Sequence, residues 1–396
     1  MADDYARHAL SQRGAFEATF PAVLDAARSF AGEPALCVVD LGAADGVNSH
    51  GLIRELIDER AGQPLIYSLV DLPTNAWAVA ADHLRRGFGE RAREVVITPG
   101  PADAELGAVD VGSGLHWASP EAHREACRRA LEESPPPAAV ISLAGIPLQR
   151  APCLPGGSVH VAVSGTAMHW IAEAAGLPST GSVFPGYPDH TDEAERRAWA
   201  EAAARQWERL LEMRGVELAP GGRLIAAVPA SPAPDPDRSG LYVELIGDMN
   251  SILADWCRDA RIGTATAAAA VVPVWMRTQE EIRAPFKAGG GWFAGLELEG
   301  DDLFWLDNPY WDDDPATFAR GYVRSVTAWG EPLFLRAFAL EGEDRAHGLL
   351  AEFLAELEGR VATNPDRFRR DYVEALVICR KGRRQDMAWN TVGTND

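Results

Sequence analysis

Apolar and polar positions along the chain alternate between two periods. Leu36-Cys37-Val38-Val39-Asp40-Leu41 is a short apolar run closed by glycines, and Ser49 to Arg60 follows with helical periodicity. This predicts a strand, a turn and a helix. Leu65 to Val70 predicts a second strand, ending in Asp71-Leu72-Pro73, and Gly157 to Val163 alternates as a third. From Glu195 to Leu218 apolar residues recur at helical spacing, and Pro220-Gly221-Gly222 is expected to break that helix before a strand over Arg223 to Val228. A final strand is predicted over Tyr372 to Cys379, with a polar tail from Lys381. Repeated strand-helix units favour an α/β fold on a parallel sheet.

Prolines between Pro229 and Pro236 mark a loop and a coarse boundary. Beyond it, the mixed stretch from 240 to 350 holds half of the twelve tryptophans, Trp256, Trp275, Trp292, Trp305, Trp311 and Trp329. A mainly helical cap with an aromatic interior is expected over residues 236–365. It lies between an α/β core over 1–235 and a last core strand and tail over 366–396.

The 396 residues are 47% hydrophobic and 24% charged, the balance of a soluble globular protein, and no apolar run is long enough to span a bilayer. A formal charge of -21 would repel phosphodiester backbones, so nucleic acid is not an expected partner. Cys37, Cys127, Cys153, Cys257 and Cys379 are scattered and never in C-x-x-C spacing, which suggests neither a disulfide framework nor a metal site. The start, Met1-Ala2-Asp3-Asp4, lacks the marks of a secretory signal, and a cytoplasmic location is expected.

Candidate chemistry sits in Asp40-Leu41-Gly42-Ala43-Ala44-Asp45-Gly46, where two glycines four apart let the backbone pass close to a ligand. Taken alone, such a loop equally fits a plain structural turn. The middle glycine of G-x-G-x-x-G is absent, which disfavours NAD and FAD. Asp40 could attract the ammonium of a methionine moiety, and Asp71, one βαβ unit further on, could accept both hydroxyls of a ribose. S-adenosylmethionine carries those groups.

At this point the chain resembles the salicylate, benzoate, jasmonate and theobromine methyltransferase family, often called SABATH, in a bacterial-type version. Tyr5-Ala6 with Gln12, Asp40-Leu41-Gly42 with Gly46 and Asn48, and Asp71-Leu72-Pro73-Thr74-Asn75 match its N-terminal motifs. Gln206-Trp207, Leu210-Leu211, Arg214, Glu217-Leu218 and Pro220-Gly221-Gly222-Arg223 match its long helix and the strand after it. Glu331-Pro332-Leu333 and Val377 to Lys381 match its C-terminal part. The resemblance implies a doubly wound, Rossmann-like class I methyltransferase sheet with a helical cap, S-adenosyl-L-methionine as cofactor, and a homodimer. By the same resemblance Tyr5, Asp40, Gly42, Gly46, Asn48, Asp71, Leu72, Leu148 and Gln149 would hold the cofactor, while Gln12 and a tryptophan would hold a substrate carboxylate.

Two segments echo the family's S-S-x-S-L-H-W signature: Val109 to Trp117 and Val161 to Trp170. The second gives the full register from Ser164 to Trp170, so Trp170 is taken as the substrate residue and Trp117 as structural. On that choice residues 85–137 form an insertion longer than the family norm, with a helix from Pro120 to Glu133, serving either as a lid or as an edge insertion. Pro147-Leu148-Gln149-Arg150 stands where the family commonly has G-S-F-Y. Met168 and His169 would face the acyl group, with Tyr242, Trp275 and Tyr372 as further candidates for the pocket wall.

The chemistry fits this pairing. Indole N–H and carboxamide NH₂ are uncharged donors that orient a carboxylate without holding back its electrons. A carboxylic acid with a pKa of about 4 is already ionised at neutral pH and needs no general base. The expected function is methyl-ester formation on a small, aromatic or apolar acid. The alternatives are N-methylation of a purine-like heterocycle, which needs no Gln12/Trp170 pair, or a non-catalytic protein that only binds the cofactor.

Overall fold

The computed structural model describes residues 8–60, 62–98, 108–110, 115–117, 120–132, 137–185, 192–231 and 243–383. Tyr5 and Tyr242, and most of the loop around Pro232, lie outside them. The predicted strands form, as β1 (Leu36–Leu41), β2 (Leu65–Asp71), β7 (Val159–Gly165), β8 (Leu218–Pro229) and β11 (Tyr372–Lys381). Six more join them: β3 (Val95–Thr98), β4 (Ala108–Asp110), β5 (Leu115–Trp117), β6 (Ala139–Gly145), β9 (Trp292–Phe293) and β10 (Leu296–Leu306). The sheet order is β4-β5-β6-β2-β1-β7-β8-β11-β10-β9, with β3 also on the outer edge of β6.

From β6 to β8 neighbouring strands are parallel, while β11 and β10 add on antiparallel. The chain leaves β1 through the helix Ser49–Glu59 toward β2, but leaves β7 through the helix Glu193–Glu217 toward β8 on the other side. The winding therefore reverses between β1 and β7, and a crevice opens there at the carboxyl ends of the strands, where open α/β sheets bind ligands. The architecture is the doubly wound α/β sheet with a cap that the resemblance implied.

The long helix differs from expectation at its end. It starts on Asp192, whose carboxylate accepts from the Glu195 amide (2.8 Å), and it stops at Glu217 with β8 beginning at once. Pro220-Gly221-Gly222 lies inside the strand rather than breaking the helix. Val159 pairs with Leu218 and Val161 with Arg223, so β8 bulges by these residues against β7. Gly221 takes φ +86°, and a Cβ at Gly222 would stand within about 3 Å of the Val159 and His160 carbonyls, which explains the two glycines.

The cap is built on the helices Val243–Arg258, Pro315–Phe338 and Glu343–Thr363. Its core places Trp256 beside Phe338 and Phe353, and it reaches Phe184 and Tyr372, so cap and sheet share one apolar interior. The 236–365 stretch is less helical than expected, because it also supplies β9 and β10. Trp292 and Trp305 sit on those strands, Trp305 42% exposed, and not in the cap interior. Within 85–137 the described strands β3 and β5 extend the sheet at its β6 edge. All five cysteines are unpaired thiols, and among the described residues no helix is long and apolar enough to cross a membrane.

Candidate active site

The turn after β1 is the tightest part of the crevice. Gly42 takes φ +82°, and a Cβ there would collide with that of Ala167 on the loop after β7; Gly46, at φ +72°, lies against Leu69. Ala44 (φ 49°) and Thr166 (φ 64°) also hold left-handed backbone on the two facing loops, a strain that a β-branched residue rarely accepts. Asp71 ends β2 and braces this turn: its Oδ2 accepts from the Ala44 amide (2.7 Å) and its Oδ1 from the Leu72 amide (2.7 Å). Asn75 donates to the Ala44 carbonyl (2.6 Å). Each Asp71 oxygen keeps a lone pair for a further donor.

Asp40 is 3% exposed, and its Oδ2 accepts from Ser49 Oγ (2.6 Å) and Tyr67 OH (3.0 Å). Burial pushes its carboxyl up to about 6 despite those two bonds, and the negative charge of Asp71 adds to the rise. Burial likewise raises Asp71, against the two amides that lower it. Asn48 precedes the helix Ser49–Glu59 and accepts from Arg13 Nε (3.3 Å). Asp40, Gly42, Gly46, Asn48 and Asp71 thus come together around one turn, with Leu72 exposed at its rim.

Leu148 is buried near Gly42, but Gln149 points into a separate groove beside Arg205 and Arg209, away from the turn. The loop carrying Leu148 is fixed from the long helix. Arg214 and Glu217, at most 1% exposed, pair through Nε–Oε2 (2.5 Å) and Nη2–Oε1 (2.9 Å). Arg214 Nη1 also donates to the Leu148 carbonyl (3.3 Å), while Glu217 Oε1 accepts from the amides of Cys153 and Leu154.

The segment after β7 is held on nearly every residue. Arg277 donates to the Met168 carbonyl (3.1 Å), the Trp275 amide to that of His169 (3.0 Å), and the Ile171 amide to that of Pro273 (2.7 Å). Gln206 spans the turn, donating through Nε2 to the Trp170 carbonyl and accepting from the Ala172 amide (2.7 Å). These bonds fix the backbone beside a cavity that Trp170 lines together with Gln12, Thr166, His169, Tyr372 and Glu374. Gln12 Oε1 accepts from Ser11 Oγ (2.9 Å), which turns the amide nitrogen into the role of donor to a ligand. Among the described residues, no lysine or arginine lines this cavity. His169 is buried, and that burial, with Arg277 behind it, pushes its imidazole down to about 3, so the ring is neutral.

Gln12, His169, Trp170 and Tyr372 are therefore brought together, whereas two expected wall residues are not. Met168 is fully buried in the sheet core and offers only its carbonyl, to Arg277. Trp275 packs with Ile171 and Trp199 in a separate cluster, and its indole donates to Glu281 (3.0 Å). The rival echo, Leu115–Trp117, is β5, which β6, β2 and β1 separate from β7. Thr166, Arg277 and Glu374 were not singled out from the sequence. Arg277 gives no local signal, but Glu374 does: it is the one charged residue within the apolar run Val373 to Cys379.

A doubly wound sheet with its crevice at the β1/β7 reversal, a glycine turn and an acidic residue closing β2 is the fold of the class I S-adenosylmethionine-dependent methyltransferases. The chain superposes on a loganic acid methyltransferase solved with SAH at a TM-score of 0.68, over 96% of this chain and 97% of that one, at 14% sequence identity. In sequence it is 23% identical over 237 residues to gibberellic acid methyltransferase 2 of Arabidopsis thaliana. That alignment spans a little over half of each protein, 54% of this chain and 56% of the plant enzyme. No protein-family model matches the chain.

Proposed function

We propose that this protein is an S-adenosylmethionine-dependent carboxyl methyltransferase that forms the methyl ester of a small carboxylic acid. The observation that carries the reading is the cavity beside the glycine turn. It offers the Gln12 amide and the Trp170 indole as uncharged donors on a mixed wall that, among the described residues, holds no lysine or arginine. The two relatives, whose names describe methyltransferases of acids, support the same reaction class.

The residues at the turn fit the cofactor. Asp71 has acceptor capacity left on both oxygens for ribose hydroxyls, Asp40 lies where an ammonium would offset its burial, and Gly42 lets the turn pack directly against Ala167. When bound, the cofactor supplies an electrophilic methyl group. Gln12 and Trp170 hold the ionised carboxylate in line for transfer without withdrawing its charge, and neutral His169 adds no competing cation. No residue has to remove a proton, because the acid arrives ionised at neutral pH. On the same reading the protein works in the cytoplasm as a homodimer, as the family resemblance suggests.

Mass spectrometry of products formed from labelled cofactor and a mixture of aromatic and aliphatic acids tests this. Methyl esters are expected. Products methylated on a heterocycle nitrogen would favour the purine reading, and a protein that binds SAH yet methylates nothing would be a binding protein only.

A further inference from the structure

Glu374 has no part in the reaction as described. It lies on β11, is 3% exposed, lines the cavity shared by Gln12 and Trp170, and its Oε2 has no hydrogen-bond partner among the described residues. Its cross-strand neighbours cannot help: Pro229 on β8 offers no N–H, and Phe304 on β10 has an apolar side chain. Among the described residues no lysine or arginine lines the cavity to pair with it. A buried polar group left unpaired weakens a fold, and such exceptions need an explanation. A ligand group that completes the pairing supplies one.

We propose that Glu374 is a specificity-determining residue that takes a hydroxyl group on the acyl portion of the substrate, so that the preferred substrate is a hydroxy acid. Naming an acid as the substrate rests on the carboxyl methyltransferase reading. Burial with no partner to offset it pushes the Glu374 carboxyl well above the usual carboxylate range. Burial therefore favours the protonated side chain, which presents one donor and one acceptor, the complement of a hydroxyl, without repelling an anionic acid. Gln12 and Trp170 hold the carboxylate, and Glu374 reads the opposite part of the same molecule.

The test uses Glu374→Gln, which keeps a neutral donor and acceptor, and Glu374→Met, which removes both. Acid binding is measured at saturating SAH with benzoate, the monohydroxybenzoates and 4-(aminomethyl)benzoate. The wild type is expected to favour at least one hydroxybenzoate over benzoate by roughly tenfold or more, since a site built to bond a hydroxyl rejects the analogue that lacks it. Glu374→Gln should keep that preference and Glu374→Met should lose or invert it. Equal affinity for all hydroxybenzoates and benzoate in the wild type, or an unchanged preference in Glu374→Met, overturns the proposal. So does preference for the aminomethyl acid that Glu374→Gln abolishes, because it would mean an anionic Glu374 pairing with a cation. Thermal unfolding without ligand decides the matter if none of these acids binds: Glu374→Met should melt higher than wild type, and a lower melting point would make Glu374 a structural residue. Selective binding without any methyl ester in the mass spectrum would sink the assigned reaction and leave the role of Glu374 standing; esters formed without hydroxyl selectivity would do the reverse.

Discussion

At the scale of single residues, burial decides what each acidic group at the glycine turn can do. Asp40 titrates near 6, above the roughly 3.9 of an unfolded chain. The native state thus holds this proton more tightly, and the cost of burying the charge is full above about pH 6 and disappears as pH falls toward 4. An ammonium beside Asp40 offsets that cost only when the carboxylate is ionised. S-adenosylmethionine affinity, measured by calorimetry, should therefore fall below about pH 6, approaching tenfold per unit, and Asp40→Asn should flatten the profile. Asp71→Ala should weaken binding by roughly 1.5–3 kcal/mol, the range for hydrogen bonds to a charged group. Trp170→Phe keeps the ring but removes the donor, so kcat/KM should drop by about 100-fold or more with SAH affinity unchanged, because misplacing a reacting group by about 1 Å costs that much. Trp117→Phe should stay near wild type in the same kinetics. The residues of the glycine turn were legible because each closes a strand whose apolar run is itself readable: Asp40 and the glycines follow from β1, and Asp71 ends β2, the adjacent strand, which brings it against the Ala44 amide. Met168 and Trp275 were misplaced because a motif fixes position along the chain and not the direction of a side chain. Arg277, distant in sequence, ties down the Met168 carbonyl, and Glu281, six residues beyond Trp275, takes the Trp275 indole.

At the scale of elements, the sheet's parallel heart was readable from short apolar runs, but its boundaries depended on contacts that only folding creates. β6 reads Ala139-Val140-Ile141-Ser142-Leu143-Ala144-Gly145, is buried along its whole length, and escaped notice because Ala, Ser and Gly dilute its apolar signal. The bulge at Pro220-Gly221-Gly222 looks like a helix stop in sequence, because the same residues serve both purposes. The Arg214–Glu217 pair links the long helix to the loop of Leu148, and removing one member strands the other in the core. Arg214→Met should cost about 3–5 kcal/mol in urea unfolding, and Arg214→Met with Glu217→Leu should recover much of it. A double variant no better than the single would show that the loop carbonyl and amides, rather than the ion pair, carry the stability. Gln206→Leu removes the two side-chain bonds that span the Trp170 turn, and is expected to lower kcat/KM for the acid at least tenfold while leaving SAH binding intact.

At the scale of the whole molecule, the antiparallel extension by β11, β10 and β9 joins cap and sheet into one body, which the sequence reading had divided at residue 236. Long-range pairing of this kind, Leu296 with Lys381 through Leu306 with Tyr372, leaves no trace in local periodicity. The net charge was legible from the start, and it has a kinetic consequence. A charge of -21 on a molecule of about 28 Å radius acts on every charged ligand. With water's dielectric constant and a Debye length of about 30 Å at 0.01 M salt, a unit charge at the surface feels roughly 1.6 kcal/mol; at 0.15 M, where the length is about 8 Å, this falls to about 0.7 kcal/mol. Raising salt across that range should therefore lower KM for an anionic acid by roughly fivefold. S-adenosylmethionine, with a net charge of +1, should bind about that much more weakly, and neutral SAH should hardly respond. Titrating all three ligands at the two ionic strengths checks the signs together. A shift of acid and cofactor in the same direction would mean that the fixed charges near the cavity, buried Arg277 foremost, govern binding rather than the field of the whole chain.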